Sequence, residues 1–323
     1  PVEPVTVIGH EEQYRAFVEA WKTRRLHHAW LLSGPRGIGK RTFADAATRM
    51  ILSGTDSFKA GADSSAAAKL AADAHPDFRL LERETSERTG ALAQGIVVDQ
   101  VRGLGRLLHQ APSLSDWRVV LIDAACEMNT AAGNALLKSL EEPPARTIFL
   151  LVCHAPGRLL ATIRSRCRTL TFRPLSDDQV RGVLERELGA EADVDTLTQL
   201  AAGVPGNALR FAGTGASELL ADLRKLLAAE DQQARSIALR LSSELARKPA
   251  QDRYEAFLDL APNVLAGAVK TLPAPQLEAG LALWEEAETL ARQARQKFLD
   301  PAVVTFQLAR LVGRFDKDER QAA

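Results

Sequence analysis

The 323-residue sequence predicts an α/β N-terminal half built on a parallel sheet, followed by an all-helical C-terminal half. Three observations carry this. Near-continuous apolar runs at 28–33, 118–123 and 147–152 have the makeup of strands covered on both faces. Helices separate these runs, as parallel strands require. Beyond Pro174 no convincing strand remains, and from Ser217 the pattern is helical to the end. The chain is too long for one ordinary core, so two or three domains are expected.

Taken in order, His28-Ala29-Trp30-Leu31-Leu32-Ser33 enters a glycine-rich turn, and a helix follows from about Lys40 to Leu52. Residues 53–74 are Ala, Ser, Gly and Asp with little period; they read as a loop or a weak helical insertion, with a helix over 66–74. His75-Pro76-Asp77 is a turn opening the next strand. After the run ending at Asp123, Asn129 or Thr130 caps a helix that Pro143-Pro144 ends. Residues 176–212 give two short helices around Gly203-Val204-Pro205-Gly206, and Gly213-Thr214-Gly215 reads as a linker. Leu219, Leu220, Leu223, Leu226 and Leu227 share one helical face; Leu283, Trp284, Leu290 and Phe298 do so less regularly. The charged stretch 316–323 is expected to fray.

Composition narrows the function. Lys plus Arg equals Asp plus Glu at 41 each, whereas a dedicated nucleic-acid binder carries a basic excess, so any DNA contact is local or shared with partners. Cys126, Cys153 and Cys167 form no C-x-x-C pair and suggest neither a zinc ribbon nor a disulfide framework. No apolar run approaches the roughly 18–20 residues that span a bilayer. A soluble, cytoplasmic protein with no membrane partner is expected.

Gly34-Pro35-Arg36-Gly37-Ile38-Gly39-Lys40 follows a strand and opens a helix, the context of a phosphate-binding loop. Gly34, Gly37 and Gly39 let backbone N–H groups curl around phosphate oxygens, the helix N-terminus adds partial positive charge, and Lys40 reaches the terminal phosphates. The next residue should bring a magnesium-binding hydroxyl, but it is Arg41. Thr42, one place on, is turned about 100° around the helix and does not substitute. His10, His27 and His28 lack Cys or His partners at metal spacing. Glu141 and Glu142 end a helix and are read as solvated or interface residues rather than an acid–base pair.

Two further motifs stand together: Leu136-Leu137-Lys138-Ser139-Leu140-Glu141-Glu142-Pro143-Pro144, and Ser165-Arg166-Cys167. With Gly9-His10, 25–30, the phosphate loop, 96–102 and the strand ending at Asp123, they make the chain resemble the AAA+ clamp-loader family. Within it the likeness is to the delta-prime subunits of the bacterial DNA polymerase III loader. It is strongest over residues 5–212.

The resemblance implies a RecA-like AAA+ P-loop domain over 1–173, a small helical lid over 174–213, and an all-α collar over 214–323 that joins a five-subunit ring. It implies partners: the gamma/tau motor subunits, the delta subunit, and the sliding clamp and primer–template DNA through the complex. It makes Asp123 the magnesium-side aspartate of a degenerate nucleotide site. Ala124 then stands where an active enzyme has its water-activating Glu, and Glu127 lies too far along to replace it. Cys153 and His154 stand at the γ-phosphate sensor, and Gly206 where active loaders tend to carry an arginine. Arg41 and Ala124 therefore disable hydrolysis. No cofactor is required, although Lys40 leaves weak or structural ATP or ADP binding open. Arg166 is in its expected context and would act in trans in a neighbour's ATP site as an arginine finger. Many relatives insert a four-cysteine zinc module after the P-loop helix; 53–74 has no cysteine, so no zinc is expected. The chain is then a stator subunit of the polymerase III holoenzyme, itself neither polymerase nor active ATPase. The alternative is a catalytically active gamma/tau-like AAA+ ATPase, which would need the hydroxyl and carboxylate missing at Arg41 and Ala124.

Overall fold

The computed structural model describes residues 7–62, 64–85, 92–189, 194–247, 250–297 and 299–321. Five parallel strands form one sheet: β1 (Ala29–Ser33), β2 (Phe78–Leu81), β3 (Arg118–Ile122), β4 (Thr147–Cys153) and β5 (Arg168–Thr171), in the order β2-β3-β4-β1-β5. The three apolar runs are β1, β3 and β4, the three middle strands, whose residues are nearly all buried. The edge strands β2 and β5 each bury a single residue, Leu81 and Leu170. That explains why β5 left no continuous apolar signal.

Both faces of the sheet are covered. On one lie α1 (Glu11–Lys22) and α2 (Lys40–Ser53), whose Phe17, Phe43, Met50 and Ile51 are fully buried. Phe17 meets Trp30 edge-on at 5.0 Å and Phe43 at 5.8 Å, and Phe43 meets Phe172 at 5.2 Å. The helix expected over 66–74 is α4 (Ser65–Ala71), capped by the Ser64 hydroxyl, and a further short helix, α3 (Phe58–Ala62), precedes it. Phe58 packs on Phe43 at 5.0 Å, so an aromatic anchor holds this segment. The other face is covered by α5 (Val98–Arg102), α6 (Gly105–His109), α7 (Thr130–Glu141) and α8 (Ala161–Arg164), which bury Val101, Leu108, Leu136, Leu140 and Ile163 against Val120, Ile122, Phe149 and Leu151. Asn129 caps α7, its side chain accepting from the Ala132 N–H at 2.8 Å.

Between 176 and 212 there are three helices rather than two: α9 (Asp177–Leu188), α10 (Val194–Ala201) and α11 (Pro205–Phe211). The chain then continues through α12 (Ala216–Ala228), α13 (Asp231–Leu245), α14 (Gln251–Val269), α15 (Leu277–Lys297) and α16 (Pro301–Gln321). The stretch expected to fray runs into α16; its side chains, and Phe298, lie outside the described residues. Two compact units result, residues 1–183 with 202–206, and 184–201 with 207–323. In the second, Leu219, Leu220, Leu223 and Leu226 are buried as the helical pattern predicts. Among the described residues no helix is long and apolar enough to cross a membrane.

Candidate functional site

Parallel order places the ends of β3, β4 and β1 side by side, and in such sheets ligand sites form at the carboxyl ends of strands. The phosphate loop leaves β1, with the Gly34 N–H donating to the Cys153 carbonyl at 3.2 Å. Gly37 and Gly39 have φ of 84° and 104°, a region costly for any side chain. The sequence-predicted residues Gly34, Gly37, Gly39, Lys40, Arg41 and Asp123 are thus brought to one edge of the sheet.

Lys40 and Arg41 both have protein partners here. Lys40 is only 4% exposed and donates to the Gly34 and Pro35 carbonyls at 2.6 and 2.5 Å. Burial pushes its pKa down to about 8, which leaves it mostly charged at neutral pH. Arg41 spans three carboxylates: its Nε lies 3.0 and 3.1 Å from the two Asp45 oxygens, and its Nη1 lies 2.8 Å from Asp123 and 3.3 Å from Glu82. Burial alone would lower the Arg41 pKa; Asp45 and Asp123 outweigh it and raise it. Burial pushes the Asp45 carboxyl up while Arg41 pulls it back. A guanidinium offers hydrogen-bond donors only, so it neutralises Asp123 but cannot coordinate phosphate oxygens and water together as a metal ion would.

Ala124 follows Asp123 with φ 60° and ψ 54°, a left-handed conformation that costs roughly 1–2 kcal/mol for a residue with a Cβ. The turn it starts carries Glu127, which is committed elsewhere, 2.7 Å from Arg83 and 3.6 Å from His154. Cys126 and Cys153 meet between β3 and β4. The two thiols interact, which holds Cys126 below the ordinary thiol range and Cys153 above it. His154 Nδ1 lies 3.5 Å from the Cys126 sulfur. The position expected to read a γ-phosphate therefore carries a thiol pair and an imidazole.

Gly206 closes the loop from outside. Its N–H donates to the Gly37 carbonyl at 3.0 Å, and a Cβ there would lie 2.5 Å from Gly37 Cα. No arginine fits at this position with the backbone as it stands. Gly206→Ala is expected to lower stability by about 1–3 kcal/mol through displacement of the phosphate loop, measured as a lower urea midpoint.

His10, read in the sequence only as a member of a marker, proves to support the phosphate loop. It sits at φ 65° before α1, its Nε2 3.0 Å from the Ile38 carbonyl and its ring 4.7 Å from Phe172. Only its left-handed backbone, a conformation enriched in His and Asn, hints at this in the sequence Gly9-His10. Burial lowers its pKa below 6.5. The unfolded chain then takes up the proton first, so His10 contributes stability above about pH 6.5 that is lost as pH falls toward its folded value. Between pH 7.5 and 5.5 the wild-type Tm is expected to fall more than that of His10→Asn; parallel profiles would contradict this role.

Arg166 is not part of the cluster. It follows α8 on the surface, 34% exposed in its side chain. Its Nη1 donates to the Thr162 carbonyl at 2.9 Å, and its Nη2 lies 2.7 Å from Glu141 Oε1.

Strand order and phosphate loop together define the fold of a P-loop protein. Residues 9–176 match the family model described as DNA polymerase III, delta subunit. The chain belongs to that family. It is 41% identical to DNA polymerase III subunit delta' of Pseudomonas aeruginosa over 196 residues, covering 59% of this chain and 57% of that protein. To DNA polymerase III subunit delta' of Escherichia coli it is 34% identical, over 61% of this chain and 58% of that one. To subunit gamma/tau of Mycobacterium bovis it is 34% identical, over 58% of this chain and 31% of the relative. The chain thus spans less than two thirds of the length of these relatives.

Proposed function

We propose that this chain is a delta-prime stator of the bacterial clamp loader: a subunit that helps load the sliding clamp onto primed DNA without hydrolysing ATP in its own site. One observation carries the second half of this reading. The Arg41 guanidinium, held by Asp45, occupies the carboxylate of Asp123, where a motor would place magnesium. Phosphoryl transfer depends on a metal that bridges phosphate oxygens, and a guanidinium does not bridge them in that way. The intact Gly34–Lys40 loop favours the motor reading, but it supplies only phosphate binding. The division into a P-loop domain over 1–173, a lid over 174–213 and a collar over 214–323 is part of the proposal.

In this scheme gamma/tau supplies the ATP sites, delta the grip on the clamp, and Arg166 a guanidinium to the neighbouring gamma/tau site. Planar, permanently charged and rich in donors, it suits the equatorial oxygens of a phosphoryl group in flight. The test is reconstitution: gamma/tau and delta with and without this chain, assayed for complex formation and for clamp loading on primed DNA. Loading that depends on the chain supports the reading. A loader that forms and works equally well without it overturns the reading.

A further inference from the structure

The ion pair between Glu141 and Arg166 joins two motifs that stand together in the sequence. Glu141 is the last residue of α7, where unsatisfied carbonyls and the negative end of the helix dipole disfavour a carboxylate. Glu142 follows it and adds a like charge. Helix stability alone would place a Lys or Arg there. The carboxylate instead meets a guanidinium that arrives across β4, at 2.7 Å. That guanidinium lies back along its own turn, donating to the Thr162 carbonyl at 2.9 Å and lying 3.4 Å from the Ser165 hydroxyl.

We propose that Glu141 is the resting counter-ion of Arg166, which a nucleotide phosphate of the adjoining subunit must displace before the arginine engages. This rests on the reading of Arg166 as a group acting in trans. The pair is half-exposed, 34% for Arg166 and 49% for Glu141. Exposed pairs of this kind shift an equilibrium by about two- to fivefold. Such a hold is weak enough for a triphosphate, with several charges and bidentate acceptors, to break. It also screens the arginine from lone surface carboxylates, which offer no more than Glu141 does. Glu141 is thus a positioning residue that sets the threshold for engagement.

The test is a double-variant cycle in the reconstituted loader: ATP turnover against ATP concentration for wild type, Glu141→Gln, Arg166→Ala and the pair together. Glu141→Gln is expected to lower the KM for ATP about two- to fivefold with no loss of kcat. It is expected to change nothing once Arg166 is alanine. Its Tm should equal or exceed that of wild type, because the helix end loses an unfavourable charge. A structural lesion lowers Tm and raises KM; that pattern, or an unchanged KM, overturns the proposal. So does an equal shift in both backgrounds, which assigns Glu141 an effect of its own. If Arg166→Ala leaves turnover untouched, the finger reading fails first and this inference falls with it.

Discussion

Arg166→Ala is expected to cut DNA- and clamp-stimulated ATP turnover of the reconstituted loader by tenfold or more, with Tm of the chain unchanged. Fingers supplied in trans contribute about 10³–10⁵ in rate in well-studied systems. In the proposed ring only one of several ATP sites faces this chain, so a tenfold loss in the total requires that the sites fire in concert; independent sites would lose only that one site's share. Stability should not move, since the pair with Glu141 is half-exposed and pairs of that kind are worth about 0–1 kcal/mol. Arg166→Lys should rescue little, because an ammonium keeps the charge but not the planar fork. Full activity in the lysine variant would assign Arg166 a generic electrostatic part. Steady-state turnover with matched complex concentrations reads both.

The largest stability effect is expected at Asp77, far less conspicuous in sequence. Its buried carboxylate accepts from the N–H groups of Ser113, Leu114 and Ser115 at 2.7, 2.8 and 2.9 Å. It therefore pins the segment that leads into β3 to the start of β2. Burial opposes its charge, but the three N–H groups outweigh that and lower its pKa. Asp77→Ala leaves those donors without their acceptor and is expected to cost about 3 kcal/mol, roughly a hundredfold in the folding equilibrium. Asp77→Asn keeps one accepting oxygen and should lie between. Because the folded pKa is depressed, this stability is present above the ordinary carboxylate range and is lost as pH falls through the folded value. Urea titrations of the three proteins at pH 7 and pH 3 check both statements: the gap between wild type and Asp77→Ala should narrow at the lower pH.

Sequence showed the middle of the fold better than its edges. β1, β3 and β4 are buried on both faces and read as apolar runs, while β5 holds only Leu170 inside and leaves no pattern. Lys40, Arg41 and Asp123 were legible because loop, helix start and strand end fix their place. That Arg41 turns onto Asp123 was not, since the two are 82 residues apart and meet only through the parallel order β3-β4-β1. Half of that geometry was written locally: Asp45 lies four residues after Arg41, on the same helical face. Gly206 read as a missing arginine, and only its contact with Gly37 shows that the place has no room for one. The Cys126–Cys153 pair left no sequence signal, because two cysteines 27 apart acquire meaning only when β3 and β4 are neighbours.

In the proposed stator, Arg41 takes the place of the metal and silences the chain's own nucleotide site. The most direct measurement is ATP turnover by the isolated chain with magnesium and primed DNA, beside its Lys40→Ala variant. No turnover above background is expected for either protein. Turnover by the wild type that Lys40→Ala abolishes would contradict this and make the chain a motor.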